Sequence, residues 1–383
     1  MMFSKVLSTF GVLTLAFAAI SVAQQTPINP IPRYTVIRPT TPVDIAAQQA
    51  LAARGAAIQT WTGSFTYQGV KHPYTMVGTD PSKGSATTTL KMVIIPLAVK
   101  FSTQTFDPTK PIQPACGTGT AIKLTEESPI FSNKVTYKLG PTNVGTTQYE
   151  DAVQRAEFWA TVNAKAPNYH VLLSYTVAAK QTLNAVSSGQ VMRGSCGNFG
   201  VLDINVFDNA VHAIIAKLKL PPDVFPYIST YDIFQSEGGG CCVLGYHSVF
   251  NGIPYGTGSY GDVPFNCSGC GTHGFTDVVT ISHEIGETIN DPYGSNGVPV
   301  WKSAYAPQYG CNTALEVGDP LAGDPVPLKV PGLSHQFYVQ DLALLPWFAL
   351  TPNGKSTAVN HWYSVFNTFL KNVQSNEHSQ CGL

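Results

Sequence analysis

The chain has 383 residues, with 22 Lys and Arg against 23 Asp and Glu and a formal net charge of −1. That length buries one large core or two ordinary ones, and so even a charge balance leaves no electrostatic footprint for nucleic acid or an anionic membrane. Charged residues make up only 12%, roughly half the share usual in soluble domains, which suits an extracellular surface built from Thr, Ser, Asn and Gly.

Lys5 precedes an apolar run over 12–22, and Ser21-Val22-Ala23 before Gln24 has the small-x-small pattern of a signal-peptide cleavage site. The run is too short for a membrane anchor, which takes about 20 apolar residues, and no later stretch reaches that length. The expected protein is therefore secreted or periplasmic, with 1–23 removed and no membrane span left. All eight cysteines lie beyond the signal. In an exported chain an even number argues for disulfides, with pairing open; a thiolate zinc site from Cys241, Cys242, Cys267 and Cys270 is the less favoured alternative.

Residues 24–60 read as a Pro-rich linker or pro-segment, within which Asp44 caps a short helix through Ala53, ended by Gly55. Residues 61–145 read as a β-rich N-terminal portion. In it, 61–77 alternates aromatics with Thr, and 91–101 is a β-branched run suited to a buried strand. Pro96 inside that run marks a bulge or an edge. The spacing of Ala152, Ala156 and Trp159 predicts a helix over 149–162, followed by a strand over 169–175 and a Ser- and Gly-rich loop over 187–200. A helix over 206–218 carries Val211, Ile214, Ile215 and Leu218 on one stripe, with Asp208 near its start and Pro221-Pro222 after it. Strands are expected at 225–234 and 242–250, around Gly238-Gly239-Gly240. Beyond Asp291 the chain is loop-rich to Leu342. A closing helix over 358–373 places Trp362, Val365, Phe366, Phe369 and Val373 at helical spacing.

The stretch Thr280-Ile281-Ser282-His283-Glu284-Ile285-Gly286-Glu287-Thr288-Ile289-Asn290-Asp291 organises the rest. At about 100° per residue, Val278, Ile281, Ile285 and Ile289 fall on one side of a helix, and His283, Glu284, Glu287 and Asp291 on the other. An imidazole and three carboxylates on one face repel one another unless a cation sits among them. His283 and Glu287, four apart, share a face; Glu284 projects a quarter turn away, in reach of a metal-activated water.

His283-Glu284-Ile285-Gly286-Glu287 resembles the zinc metallopeptidase (zincin) helix, whose H-E-x-x-H pattern supplies two histidine ligands and a glutamate base. Here Glu287 stands where the second histidine would be. The continuation to Asp291-Pro292, with the later Glu316-Val317-Gly318-Asp319-Pro320, is similar to secreted zincin-like relatives of the plant phosphate-induced (exordium) proteins. The resemblance spans 241–321. It implies an α+β, zincin-like catalytic portion over 146–383, with a twisted mixed sheet beside the ligand helix. It also implies zinc on His283, Glu287 and a third acid, with Glu284 as general base and a peptide or protein substrate bound along an edge strand, for which Tyr246-His247-Ser248 is the candidate.

For the third ligand the resemblance favours Glu316, with Asp319 supporting an imidazole. Asp291 is the competitor, although on an unbroken helix it sits about 12 Å along the axis from His283. His247 and His273 are further candidates, and Tyr246, His247 or Tyr293 are placed to stabilise an oxyanion. So oxygen-rich a shell suits manganese, iron or calcium as well as zinc. A glycosidase pair from Glu284 and Glu287 is disfavoured, because acids one turn apart on one helix do not straddle a sugar. The expected function is a secreted zinc metallopeptidase. The alternative is a non-catalytic extracellular or cell-wall protein that keeps the scaffold with a structural ion or none.

Overall fold

The structure is a computed structural model, and it describes residues 30–33, 42–194, 197–238, 240–261, 276–303, 310–322, 324–352, 354–368 and 376–382. The expected signal peptide, Cys267, Cys270 and His273 lie outside the described residues. The fold is mixed α+β. Six helices are used below: α1 (Pro42–Ala53), α2 (Ala121–Glu127), α3 (Tyr149–Glu157), α4 (Trp159–Lys165), α5 (Ile204–Leu218) and α6 (Val279–Asn290). No helix among the described residues is long and apolar enough to cross a membrane.

The central sheet has seven strands: β1 (Thr87–Lys100), β2 (Thr105–Phe106), β3 (His170–Val177), β4 (Gln181–Asn184), β5 (Val224–Tyr231), β6 (Gly245–Phe250) and β7 (Ile253–Tyr260). β1 is its axis. It pairs in parallel with β3, β4 and β5, and β5 pairs in parallel with β7. β6 then adds antiparallel to β7 and ends the sheet on that side. Because β1 comes from the expected N-terminal portion, the sheet is assembled across the boundary drawn at 145. The β-branched run of β1 is buried, as its composition requires.

Pro96 is neither at an edge nor in a bulge of β1. It lies in the central strand opposite Ser229, where β3 has ended across from Ile94 and β4 begins across from Leu97. A residue with no N–H is tolerated there because the neighbouring strand is interrupted.

β7 has no counterpart among the expected strands. Pro254, Gly256 and Gly258 depress its strand propensity, yet the glycines are needed for space: a Cβ at Gly256 would come within 3.0 Å of both the Phe225 and Tyr227 rings. The loop expected over 187–200 instead holds the paired strands Gly189–Arg193 and Asn198–Asp203. The expected helix over 149–162 breaks at Phe158 (φ −104°, ψ 25°) into α3 and α4, where Ala160 N–H donates to the Thr357 carbonyl at 2.9 Å. The closing helix is also corrected. Among the described residues of that span only a short 3-10 turn (Val359–His361) forms, Asn360, His361 and Asn367 take positive φ, and Ser364 makes a β-bridge with Ala343; Phe369 and Val373 lie outside the described residues. The helical spacing of Trp362, Val365 and Phe366 marked burial, not a helix.

α1 ends at Ala53 as expected, followed by Gly55 at φ 62°, but it begins at Pro42, so Asp44 lies inside its first turn and is not its N-cap. Asp44 accepts from Asn251 N–H at 2.7 Å and so pins α1 to the β6–β7 turn. α5 is capped by Asp203, whose carboxylate accepts from Asn205 and Val206 N–H; Asp208, expected to serve the dipole, instead accepts from the Tyr246 and Tyr255 hydroxyls. Cys241 bridges Cys242, and Cys311 bridges Cys381.

Candidate metal centre

α6 packs on β6 and β7 and crosses α3. All twelve of its residues are buried, so the polar side that amphipathicity would assign to solvent faces the interior. Gly286 permits the crossing, because a Cβ there would meet Leu342 Cδ1 at 2.5 Å and Glu150 Oε2 at 3.1 Å. Behind the crossing lies α3, a helix expected from the sequence, whose buried acids were not expected. Glu150, Asp151 and Glu157 of α3 are all buried; the only signal was three acids in a Pro-free helical segment that also holds Gln154 and Arg155.

Three elements deliver the cluster. α6 brings His283, Glu284 and Glu287. β6 brings His247. Successive residues of a strand point to opposite faces, so His247 faces α6 while Tyr246 faces α5 and donates to Asp208 at 2.9 Å. Tyr246 is therefore not at the centre. The third element is the segment through Glu316 and Asp319, held by Leu315 N–H on the Asn296 carbonyl (3.1 Å) and Ala343 N–H on the Val317 carbonyl (2.7 Å).

The distances fall into two sets. His283 Nε2 lies 3.0 Å from Glu287 Oε1 and 3.6 Å from Asp319 Oδ1. His247 Nδ1 lies 3.4 Å from Glu287 Oε2, 3.7 Å from Glu284 Oε2 and 4.0 Å from Glu316 Oε2. Within each of the triads His283–Glu287–Asp319 and His247–Glu284–Glu287, the ligand atoms lie within 4.8 Å of one another. Asp291 joins neither triad. Its two oxygens accept from Ser295 and Asn296 N–H, both at 2.9 Å, closing the loop after α6. Tyr293 lines a groove with Gln48 and Thr60 beneath α1, away from both triads.

All six cluster residues are buried. Both oxygens of Glu284 and of Glu316, both nitrogens of His247, Glu287 Oε2 and Asp319 Oδ2 make no hydrogen bond. Groups left so would cost several kcal/mol, and among the described residues no Lys or Arg forms an ion pair with any of them. Without a cation, protons take up the imbalance. Burial lowers the His247 and His283 imidazoles, but the acids outweigh it: Glu316, Glu284 and Glu287 carry His247 well above its ordinary value, and Glu287, Glu284 and Asp319 carry His283 to about 9. Burial pushes Glu284 to about 7, and burial with the Glu287 charge pushes Glu316 and Asp319 well up. Glu287 alone goes down, burial being overcome by His283 and His247. These donors, buried and short of partners, fit a divalent cation. No protein-family model, no curated protein and no solved structure matches the chain.

Proposed function

We propose that this chain is a secreted, zincin-like, metal-dependent hydrolase acting on peptide bonds, with zinc as the first choice of metal. The observation that carries the reading is the convergence of His283, Glu287 and Asp319 on one buried neighbourhood with unpartnered carboxylate oxygens. Asp319, expected only to support an imidazole, takes the place of third ligand here, and Glu316 stands beside His247 instead. The mixed sheet, ending in an antiparallel strand that lies against the ligand helix, supports the zincin-like assignment.

A divalent cation, when bound, polarises a substrate carbonyl and acidifies water. His283, Glu287 and Asp319 would hold it. Glu284, pushed to about 7 by burial, sits where a carboxylate takes up and returns a proton at neutral pH. His247, 3.7 Å from Glu284, adds a positive charge beside that carboxylate when its imidazole is protonated. β6, the terminal strand, is the element along which an extended peptide adds.

One observation favours a second reading. Every cluster residue is buried, and so are Tyr246, His247 and Ser248 on β6, which suits a structural ion in a non-catalytic extracellular protein. Metal analysis combined with casein hydrolysis, on wild type and Glu284→Gln, separates the two. Hydrolysis lost on chelation, restored by zinc and absent in the variant supports the enzyme. Metal without hydrolysis supports the structural ion, and wild type without metal defeats both.

A further inference from the structure

Resting on the metal-binding reading above, we propose that the centre takes two divalent cations bridged by Glu287, one held by His283, Glu287 and Asp319 and the other by His247, Glu284, Glu287 and Glu316. The two carboxylate oxygens of Glu287 diverge, Oε1 toward His283 and Oε2 toward His247. Glu287 is the one residue common to both sets of contacts among the described residues.

Spacing supports occupancy on each side. Ligands about 2.1 Å from a tetrahedral ion lie about 3.4 Å from one another. The separations of 3.0 and 3.6 Å around His283 bracket that figure, and those of 3.4, 3.7 and 4.0 Å around His247 extend upward from it.

Charge supports two ions rather than one. With both imidazoles neutral, as ligation requires, the cluster holds the four carboxylates of Glu284, Glu287, Glu316 and Asp319. One divalent cation would leave two negative charges, or the protons that neutralise them, in a buried site where no Lys or Arg among the described residues is paired to them. Two cations neutralise it, and buried uncompensated charge is among the costliest arrangements a fold can hold. The unpartnered atoms divide in the same way: Asp319 Oδ2 lies on one side, and Glu284, Glu316 and His247 on the other. Two imidazoles with four carboxylates is also the donor set that holds paired iron or manganese ions in helical-bundle proteins.

The sides differ in ligand number. Four protein ligands around His247 make a closed, structural shell; three around His283 leave a position open for substrate or water. Glu284 then becomes a ligand of the second ion and not the proton acceptor of a single-ion site.

The test is stoichiometry. The purified protein is stripped with a chelator, reloaded separately with zinc and with manganese, desalted, and its metal measured against protein by mass spectrometry and amino-acid analysis. Two ions per chain are expected, falling to one in Glu284→Gln and in His247→Ala, with circular dichroism confirming that both variants fold. The doubly loaded manganese protein should give the broadened, exchange-coupled resonance of bridged ions. One ion in wild type, kept in Glu284→Gln, overturns the paired centre and leaves the single-ion hydrolase standing. No ion overturns both. Two ions with the resonance of isolated manganese overturns the Glu287 bridge.

Discussion

Gly318 lies flat against the imidazole of His283, so close that a Cβ at this position would fall on the ring. Its φ of −84° is open to any residue, so space and not conformation demands the glycine. Its N–H also donates to Glu287 Oε1 at 3.2 Å. Gly318→Ala should displace the ring, weaken metal affinity about 10- to 100-fold, as loss of ligand support does, and cost about 1–3 kcal/mol of stability from overpacking. Competition with a chromophoric chelator and denaturant unfolding measure the two effects. Affinity equal to wild type would remove His283 from the ligand set.

Metal removal should destabilise the fold, because the cluster then rests on protons alone. A cation at 100 times its Kd contributes about 2.7 kcal/mol, which for a chain of this length corresponds to a rise of about 3–4 °C in Tm. Scanning calorimetry of stripped and reloaded protein is the measurement. An unchanged Tm would mean that nothing binds the native centre.

Metal affinity should rise with pH. In the metal-free centre His283 is carried to about 9, with burial opposing the rise and Glu287 driving it. The imidazole must give up its proton to ligate, so binding is weakest below neutrality, strengthens through pH 7–9 and levels off above. Titration calorimetry at several pH values, in buffers of different ionisation enthalpy, should detect protons released on binding. No release at pH 7 would refute the assignment.

Glu157 sets a second pH dependence, away from the centre. Burial pushes it to about 8 despite its acceptance from Leu345 N–H at 2.7 Å and from Gln154. The folded state therefore holds this proton more tightly than the unfolded chain. Its contribution is fully present below about 4.5 and is lost as pH rises toward 8, at up to about 1.4 kcal/mol per pH unit. Glu157→Gln should flatten the decline in unfolding free energy over that window. An equally steep decline in the variant would assign the effect to other groups.

The Cys311–Cys381 bridge closes a long loop, its ends 70 positions apart in the sequence. It ties the strand Cys311–Ala314 to the C-terminal turn, where His378 packs on Trp347 with ring centroids 4.1 Å apart. Replacing both cysteines with Ser should cost about 4 kcal/mol on the chain-entropy account, read as a lower denaturant midpoint with a slope equal to or steeper than wild type, because the unbridged denatured chain is more expanded.

What local spacing determines was legible in the sequence. His283 and Glu287 are four apart, so any helix over 279–290 puts them on one face, and the β-branched run of β1 has nowhere to go but the interior. The end of α1 at Gly55 followed from a pattern of the same short range, whereas the edge position of the strand bearing His247 was implied only by the family resemblance. β7 was hidden because its glycines serve the Phe225 and Tyr227 rings, contacts that no local pattern reports. The closing helix failed because the burial of Val365 comes from the partner segment at Leu342–Leu344 and not from a helical face.

Which acids meet the imidazoles was decided only by the tertiary structure. Glu316, Asp319 and Asp291 look alike as sequence. Asp291 is taken up by the backbone of Ser295 and Asn296, whereas the loop through Gly318 is folded back onto α6, and the alternation of β6 turns His247 inward and Tyr246 away. A helix fixes neighbours within a turn or two. The remaining ligands depend on sheet register and on the space left by one glycine, which arise only when distant segments pack.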